Sequence, residues 1–392
     1  MNMDWILLVV LLLPVAAASG WWAARLSHAR ATGGKRHNIH PEYFKGLNYV
    51  LNEQPDKAIE IFVKMLEADS ETIETHLTLG NLFRRRGEVD RAIRIHQNLI
   101  ARPNLEERYK AQALLELGLD YMRLGILDRA EALFTELVAA NMLTIQAYRH
   151  LLDIYQQEKE WEKAISTARQ LEMTTHTQMQ SLIAQFYCEL AESELTDGNE
   201  KGARNNIKRA LNLDPKCVRA SLMEGQINMS AGNYRAAVNA FRRIENQDPA
   251  YLSETIPLMQ ECYRELGTPH KYTEYLQEIL QNQGGITALL YLTDDIADRE
   301  GEDAAIRYIS DNLRQRPTVR GVNHLMKYTI RKSHGDLNKN LSTIKELTAR
   351  ILSERAIYKC GVCGFDAKKL HWYCPGCKNW NTVKPIQGIY GE

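Results

Sequence analysis

Apolar and polar positions follow three regimes along the chain. From Trp5 to Ala24 the sequence WILLVVLLLPVAAASGWWAA carries no charged side chain. Twenty residues at a helical rise of 1.5 Å reach about 30 Å, the depth of a bilayer's hydrocarbon core, so this stretch predicts a transmembrane span. Pro14 is tolerated inside such a helix. Trp5 at one end, with Trp21 and Trp22 at the other, suits the two membrane interfaces. From residue 41 to 335 the pattern is that of a helical pair repeated many times. From residue 359 onward that pattern stops, and YKCGVCGFDAKKLHWYCPGCKNW (residues 358–380) mixes cysteine, glycine, lysine and aromatic residues.

The repetition decides the fold class. Gly46 is followed twelve residues on by Ala58 and four later by Phe62. The same frame recurs at Gly80, Ala92, His96; at Gly118, Ala130, Phe134; at Leu152, Ala164, Ala168; at Ala191, Ala203, Ile207; and at Gly225, Ala237, Phe241. The steps are 34, 38, 34, 39 and 34 residues, a 34-residue unit with small insertions. Each unit reads as two antiparallel helices. A small first residue lets the first helix approach its partner, Ala at the second position lets the second helix pack on the next unit, and a large third residue fills the gap. Turns fall at Arg86-Gly87-Glu88, Leu124-Gly125-Ile126, Asp197-Gly198-Asn199 and Ala231-Gly232-Asn233. Pro103, Pro215 and Pro249 stand near the ends of second helices, where proline stops continuation. These residues resemble tetratricopeptide repeats: Gly118, Tyr121, Ala130 and Phe134 meet much of that pattern, as do Gly225, Ala237, Phe241 and Pro249. His96 and Ala168 depart from its Phe position. Two degenerate units follow, around Met259 to Leu280 and Thr293 to Pro317. Stacked units of this kind form a superhelix whose first helices line a concave face, and Arg84, Arg85 and Arg123 fall at groove-facing offsets, where a solvated surface is the plainer reading.

Cys360 and Cys363 form one C-x-x-C and Cys374 and Cys377 another, ten residues apart. Each tight turn aims two thiolates at one point, and two turns complete a tetrahedral four-sulfur site. Gly364, Pro375 and Gly376 ease those turns. A segment this short buries too little core alone, so the metal supplies folding energy. The pairs resemble rubredoxin knuckles shortened into a ribbon. Such sites take iron or zinc, and spacing does not choose between them. His371 reads as a packing residue, since four thiolates already close the site. The aromatics Tyr358, Phe365, Trp372, Tyr373 and Trp380 are expected to form the module's core or to dock on the preceding helix, Leu337 to Tyr358.

Charge narrows the function classes. Lys+Arg and Asp+Glu are both 49, so the net charge is zero, where a nucleic-acid binder carries a basic excess. Only the knuckle is locally basic, through Lys359, Lys368, Lys369, Lys378 and Lys384. Asp4 precedes the apolar run and Arg25, Arg30, Lys35 and Arg36 follow it, which places residues 25–392 on the cytoplasmic side. A cleaved signal peptide is the rival reading, because Ala16 to Gly20 resembles a cleavage site, but such peptides carry positive charge ahead of the apolar run. The other cysteines, Cys188, Cys217 and Cys262, sit in helical patterns as small core hydrophobes, not as a secreted disulfide framework. There is no H-E-x-x-H, G-x-S-x-G or P-loop motif. Asp294 and Asp295 read as solvated carboxylates on exposed turns. The expectation is an adaptor, not an enzyme.

The domain order is therefore a transmembrane anchor (1–24), a basic juxtamembrane linker (25–40), a repeat array (41–335), a connecting helix (336–358) and a rubredoxin-like metal domain (359–392), all-α apart from the ribbon. An N-terminal span, a repeat array and Cys360, Cys363, Cys374 and Cys377 in this order resemble the lipopolysaccharide assembly protein B family of Gram-negative bacteria across essentially the whole chain. The resemblance implies an inner-membrane adaptor that works with an FtsH-type membrane ATP-dependent metalloprotease. It implies promoted degradation of the deacetylase that commits precursor to lipid A, and the gathering of other lipopolysaccharide-synthesis or transport proteins, with an oligomer compatible. A rubredoxin-like electron-transfer protein and a nucleic-acid-binding ribbon on a repeat scaffold are the alternatives.

Overall fold

The computed structural model describes residues 21–22, 41–52, 54–68 and 73–392. The expected span from Trp5 to Ala24, apart from the helical Trp21 and Trp22, and the linker 25–40 lie outside the described residues. Among the described residues no helix is long and apolar enough to cross a membrane. The chain divides into two compact units, Met1–Ala147 and Tyr148–Glu392.

The first unit holds three helical pairs: α1 (Pro41–Leu51) with α2 (Pro55–Ala68), α3 (Ile73–Arg86) with α4 (Val89–Ile100), and α5 (Glu107–Leu124) with α6 (Leu127–Ala139). The frame residues sit as their spacing requires. Ala58, Phe62, Ala92, His96, Ala130 and Phe134 are all fully buried. The role of the glycines is steric: a Cβ on Gly46 would lie 2.6 Å from Phe62 Cζ, and one on Gly118 would lie 2.5 Å from Phe134 Cε1. First and second helices thus interlock through a missing Cβ and a large ring. Gly125, at φ 76°, ends α5, and the N–H of Ile126 returns to Tyr121 O at 2.9 Å.

His96 departs from the family's Phe for a reason that spacing does not reveal. Its Nδ1 lies 2.5 Å from Asp120 Oδ2, with both side chains fully buried. Arg84 donates to Asp120 Oδ1 at 2.9 Å and to Glu116 Oε2 at 2.7 Å. A polar triad on α3, α4 and α5 therefore replaces one apolar plug, and Arg84 is bound within the fold, whereas Arg85 and Arg123 are exposed.

The second unit continues the pairs: α7 (Thr144–Glu158, whose first turn belongs to the first unit) with α8 (Trp161–Thr175), α9 (Gln180–Thr196) with α10 (Glu200–Leu213), and α11 (Val218–Ser230) with α12 (Tyr234–Gln247). A 3-10 turn at Pro249–Tyr251 leads into α13 (Leu252–Glu265) and α14 (Pro269–Asn282), then α15 (Ile286–Glu300) with α16 (Glu302–Gln315). The pairing runs one step further than the sequence frame, because α17 (Val319–Lys332) packs against α18 (Gly335–Glu354). Asp294 and Asp295 lie within α15 and not on turns, and they are half-buried. Asp294 accepts from His324 Nε2 and Lys327 Nζ, each at 2.9 Å, and from the Tyr328 hydroxyl. Partial burial opposes its ionisation, but these donors outweigh that and hold the carboxyl well below the ordinary range. Asp294 is thus a structural tie between α15 and α17, and Asp295 one between α15 and Thr273 of α14, at 2.9 Å.

An antiparallel sheet in the order β2-β1-β3 completes the unit: β1 (Tyr358–Cys360), β2 (Asp366–Ala367) and β3 (Val383–Pro385). Tyr358 pairs with Ala367 on one side and Pro385 on the other.

The interlock makes a signed prediction. Gly→Ala inside a helix ordinarily stabilises by about 1 kcal/mol, but overpacking costs about 1–3 kcal/mol. Gly118→Ala should lower the urea midpoint, and adding Phe134→Leu should recover part of the loss. A rise in midpoint for Gly118→Ala would show that the ring is not pinned.

Candidate metal centre

The two C-x-x-C turns fold into matching knuckles. The N–H of Gly364 bonds Cys360 O at 3.0 Å, and in the second turn the N–H of Lys378 bonds Cys374 O at 2.9 Å. Each turn needs a left-handed residue just after its second cysteine. Gly364 fills that place at φ 76°, and Lys378 fills it at φ 58°. Gly376, expected to ease the turn, has another use: a Cβ there would lie 3.2 Å from Cys363 Sγ.

The structure brings all four expected ligands together. Their sulfurs lie within 4.8 Å of one another. Cys360 and Cys377 are 3.7 Å apart, as are Cys363 and Cys374. A tetrahedron with metal–sulfur bonds of about 2.3 Å has edges of about 3.8 Å, so these two opposite edges already have the length a tetrathiolate metal requires. The Thr382 hydroxyl beside Cys360, helped by the N–H groups of Cys363 and Val362, lowers that thiol to about 6. At Cys363 the Phe365 N–H lowers the thiol, but the three neighbouring sulfurs and the water they displace outweigh it and push it up to about 12. Four thiolates cannot coexist at this spacing without a cation to offset their repulsion, and the donor set fits a soft or borderline metal. His371 sets its ring edge-on to Phe365, with centroids 6.2 Å apart.

The buried core of the ribbon is small: Tyr358, Cys360, Ala367, Cys374 and Val383. Phe365 packs against that core as expected, whereas Trp372 and Trp380 reach outward, and here the structure corrects the expected docking on the preceding helix. They do not dock on the preceding helix; α18 buries none of its residues. They dock on earlier repeats. Trp380 Nε1 donates to Gln156 Oε1 at 2.9 Å, and its ring packs edge-on against Trp161 and Phe186 at 6.2 and 5.8 Å. Trp372 stacks on Tyr251 at 5.4 Å. The hydroxyl of Tyr251 donates to Val383 O at 3.1 Å, that of Tyr358 to Glu254 Oε1 at 2.8 Å, and Lys384 pairs with Asp248 at 2.6 Å. Further along, Glu392 accepts from Thr287 N at 3.1 Å and from Arg320, while Val319 N–H donates to Ile389 O at 2.9 Å. Most of the repeat residues in these contacts belong to first helices: Gln156 on α7, Phe186 on α9, Glu254 on α13, Thr287 on α15 and Arg320 on α17. The ribbon therefore lies along the first-helix face of the second unit, the face the repeat pattern assigns to a bound partner.

Residues 358–385 match the rubredoxin metal-binding domain family, and residues 77–143, 115–173 and 188–251 match the tetratricopeptide repeat family. The chain is 39% identical over 385 residues to lipopolysaccharide assembly protein B of Escherichia coli (strain K12), covering 98% of this chain and 99% of that protein. It is 34% identical over 389 residues to the protein of the same name in Haemophilus influenzae, covering 97% of this chain and 98% of that one. The chain belongs to the lipopolysaccharide assembly protein B family.

In this family member the docking residues Gln156, Trp161, Phe186, Tyr251 and Glu254 escaped the sequence reading, because each is an ordinary helix residue until a partner more than a hundred positions away is known. The signal that could have found them is the knuckle's surplus of aromatics over what so small a core can use. Two outcomes test the centre. Lys378→Gly should retain metal against a chelator as well as the parent or better, by up to about 1 kcal/mol, since a side chain in the left-handed region costs about that much; a clear loss of retention would contradict the strained turn. Trp380→Ala should leave the metal bound yet cost roughly 2 kcal/mol of docking, seen as faster proteolysis between residues 355 and 392.

Proposed function

We propose that this chain is a membrane-anchored adaptor of lipopolysaccharide assembly that performs no chemistry of its own. The observation that carries the reading is the full-length match to proteins named for lipopolysaccharide assembly, ribbon and repeats together. A site closed by four thiolates leaves no coordination position for a reacting water, which supports a structural metal, iron or zinc. Trp372 and Trp380 are engaged with the repeats, so they are not available as a stacking platform for bases, which weighs against nucleic acid.

In this reading residues Trp5 to Ala24 span the inner membrane with the N-terminus periplasmic and the repeats on the cytoplasmic side. The span sets the adaptor beside an FtsH-type metalloprotease. The repeats and ribbon hold the lipid A-pathway deacetylase near the protease, and other lipopolysaccharide-synthesis or transport proteins gather on the same scaffold. Tethering at two sites raises effective concentration without tight single contacts.

The experiment is deletion of residues 1–24. The truncated chain should stay folded and soluble yet fail to lower deacetylase levels in cells. Full activity from the truncation would end the tethering account. The electron-transfer reading draws support from the exposure of Cys363. It requires a bound iron whose thiolate absorption bleaches reversibly on reduction, and a colourless zinc-loaded protein with full activity would remove it.

A further inference from the structure

Away from the ribbon, two more cysteines meet. Cys188 on α9 and Cys217, which caps the N-terminus of α11, are both fully buried, and their sulfurs stand 3.8 Å apart. The surroundings of the two sulfurs differ. Cys217 Sγ faces Gln185 Nε2 at 3.5 Å and Cys188 Sγ at 3.8 Å, at the N-terminus of α11. Arg219, itself nearly buried, adds a positive charge close by. The hydrogen bond shared by the two sulfurs, together with Ala220 and Arg219, lowers the Cys217 thiol against burial and the nearby Asp214, and the same bond and burial raise the Cys188 thiol well above its ordinary value. Two core hydrophobes would need none of these donors. Cys262 on α13 is the contrast: it lies in an apolar cluster, and burial pushes its thiol up to about 11.

We propose that Cys188 and Cys217 are an oxidisable dithiol, with Cys217 the attacking sulfur, that closes to a disulfide with a hydroperoxide as oxidant. The thiolate of Cys217 attacks the peroxide's outer oxygen and the O–O bond breaks; the departing oxygen takes a proton and leaves as water or an alcohol. Cys217 is then a sulfenic acid. The sulfur of Cys188 attacks it, the S–O bond breaks, and the hydroxide leaves as water with the Cys188 proton. The two thiols lose two electrons and the peroxide gains them. The sulfurs must close from 3.8 Å to about 2.05 Å. The bond would tie α9 to α11 on the docking face. Arg219, two positions from Cys217, pairs there with Glu189 at 2.8 Å and lies 6.0 Å from the Trp380 ring.

The test is hydrogen peroxide added to the metal-loaded full chain, followed by peptide mapping without reduction. A Cys188–Cys217 link should appear on the order of tenfold faster than any modification of Cys262. Cys188→Ser should leave a sulfenic acid at Cys217 that dimedone traps, and Cys217→Ser should leave Cys188 unmodified. The proposal is overturned if wild-type protein gives no such link at peroxide levels that already oxidise the ribbon thiols, or if Cys262 reacts as fast. The wild-type map alone decides the matter should a serine variant fail to fold.

Discussion

Four cysteine sulfurs that need a cation between them govern the second unit of this protein. The ribbon buries only six residues of its own, Pro385 among them, far short of the area a free-standing domain requires. Its strands are two or three residues long, so hydrogen bonds between strands cannot compensate. Metal binding is therefore folding energy. Only when the two knuckles are closed are Trp372 and Trp380 held at the separation that lets one stack on Tyr251 while the other enters the site made by Gln156, Trp161 and Phe186.

That docking changes what the repeats are for. A repeat array contacts mainly its nearest neighbours and behaves as a row of small modules. Here the ribbon and the residues up to Glu392 touch first helices from α7 to α17, adding long-range ties to an array that otherwise has few. The ties are chemically mixed: aromatic packing at Trp380 and Trp372, a buried phenol on Glu254, whose carboxyl is pushed up by burial, and an ion pair at Lys384. In the proposed adaptor role such rigidity helps, because preorganised surfaces lose less entropy on binding.

Much of this was legible in the sequence, for identifiable reasons. The repeats announce themselves because each unit solves one packing problem, a missing Cβ against a large ring, and the solution recurs at Gly46, Gly118 and Gly225. The ribbon announces itself because two C-x-x-C turns have few other uses. What stayed hidden was whatever depends on partners distant in sequence. His96 looks like a lost Phe until Asp120 is seen beside it. Lys378 looks like a surface lysine until its backbone is seen in the left-handed region. Asp294 looks solvated until α17 brings His324, Lys327 and Tyr328 to it. The docking face lies on repeats more than a hundred residues away from Trp372 and Trp380, whereas proximity in sequence points only to the adjacent helix.

The central claim is that the metal ribbon is a structural member of the repeat array and not an appendage. Amide hydrogen exchange on the metal-loaded and chelated full-length protein tests it most directly. The account predicts that chelation raises exchange in the ribbon and also in the first helices α7, α9, α11 and α13, with little change in α1 to α6. Increased exchange confined to residues 358–392, with the repeat helices unchanged, would contradict it.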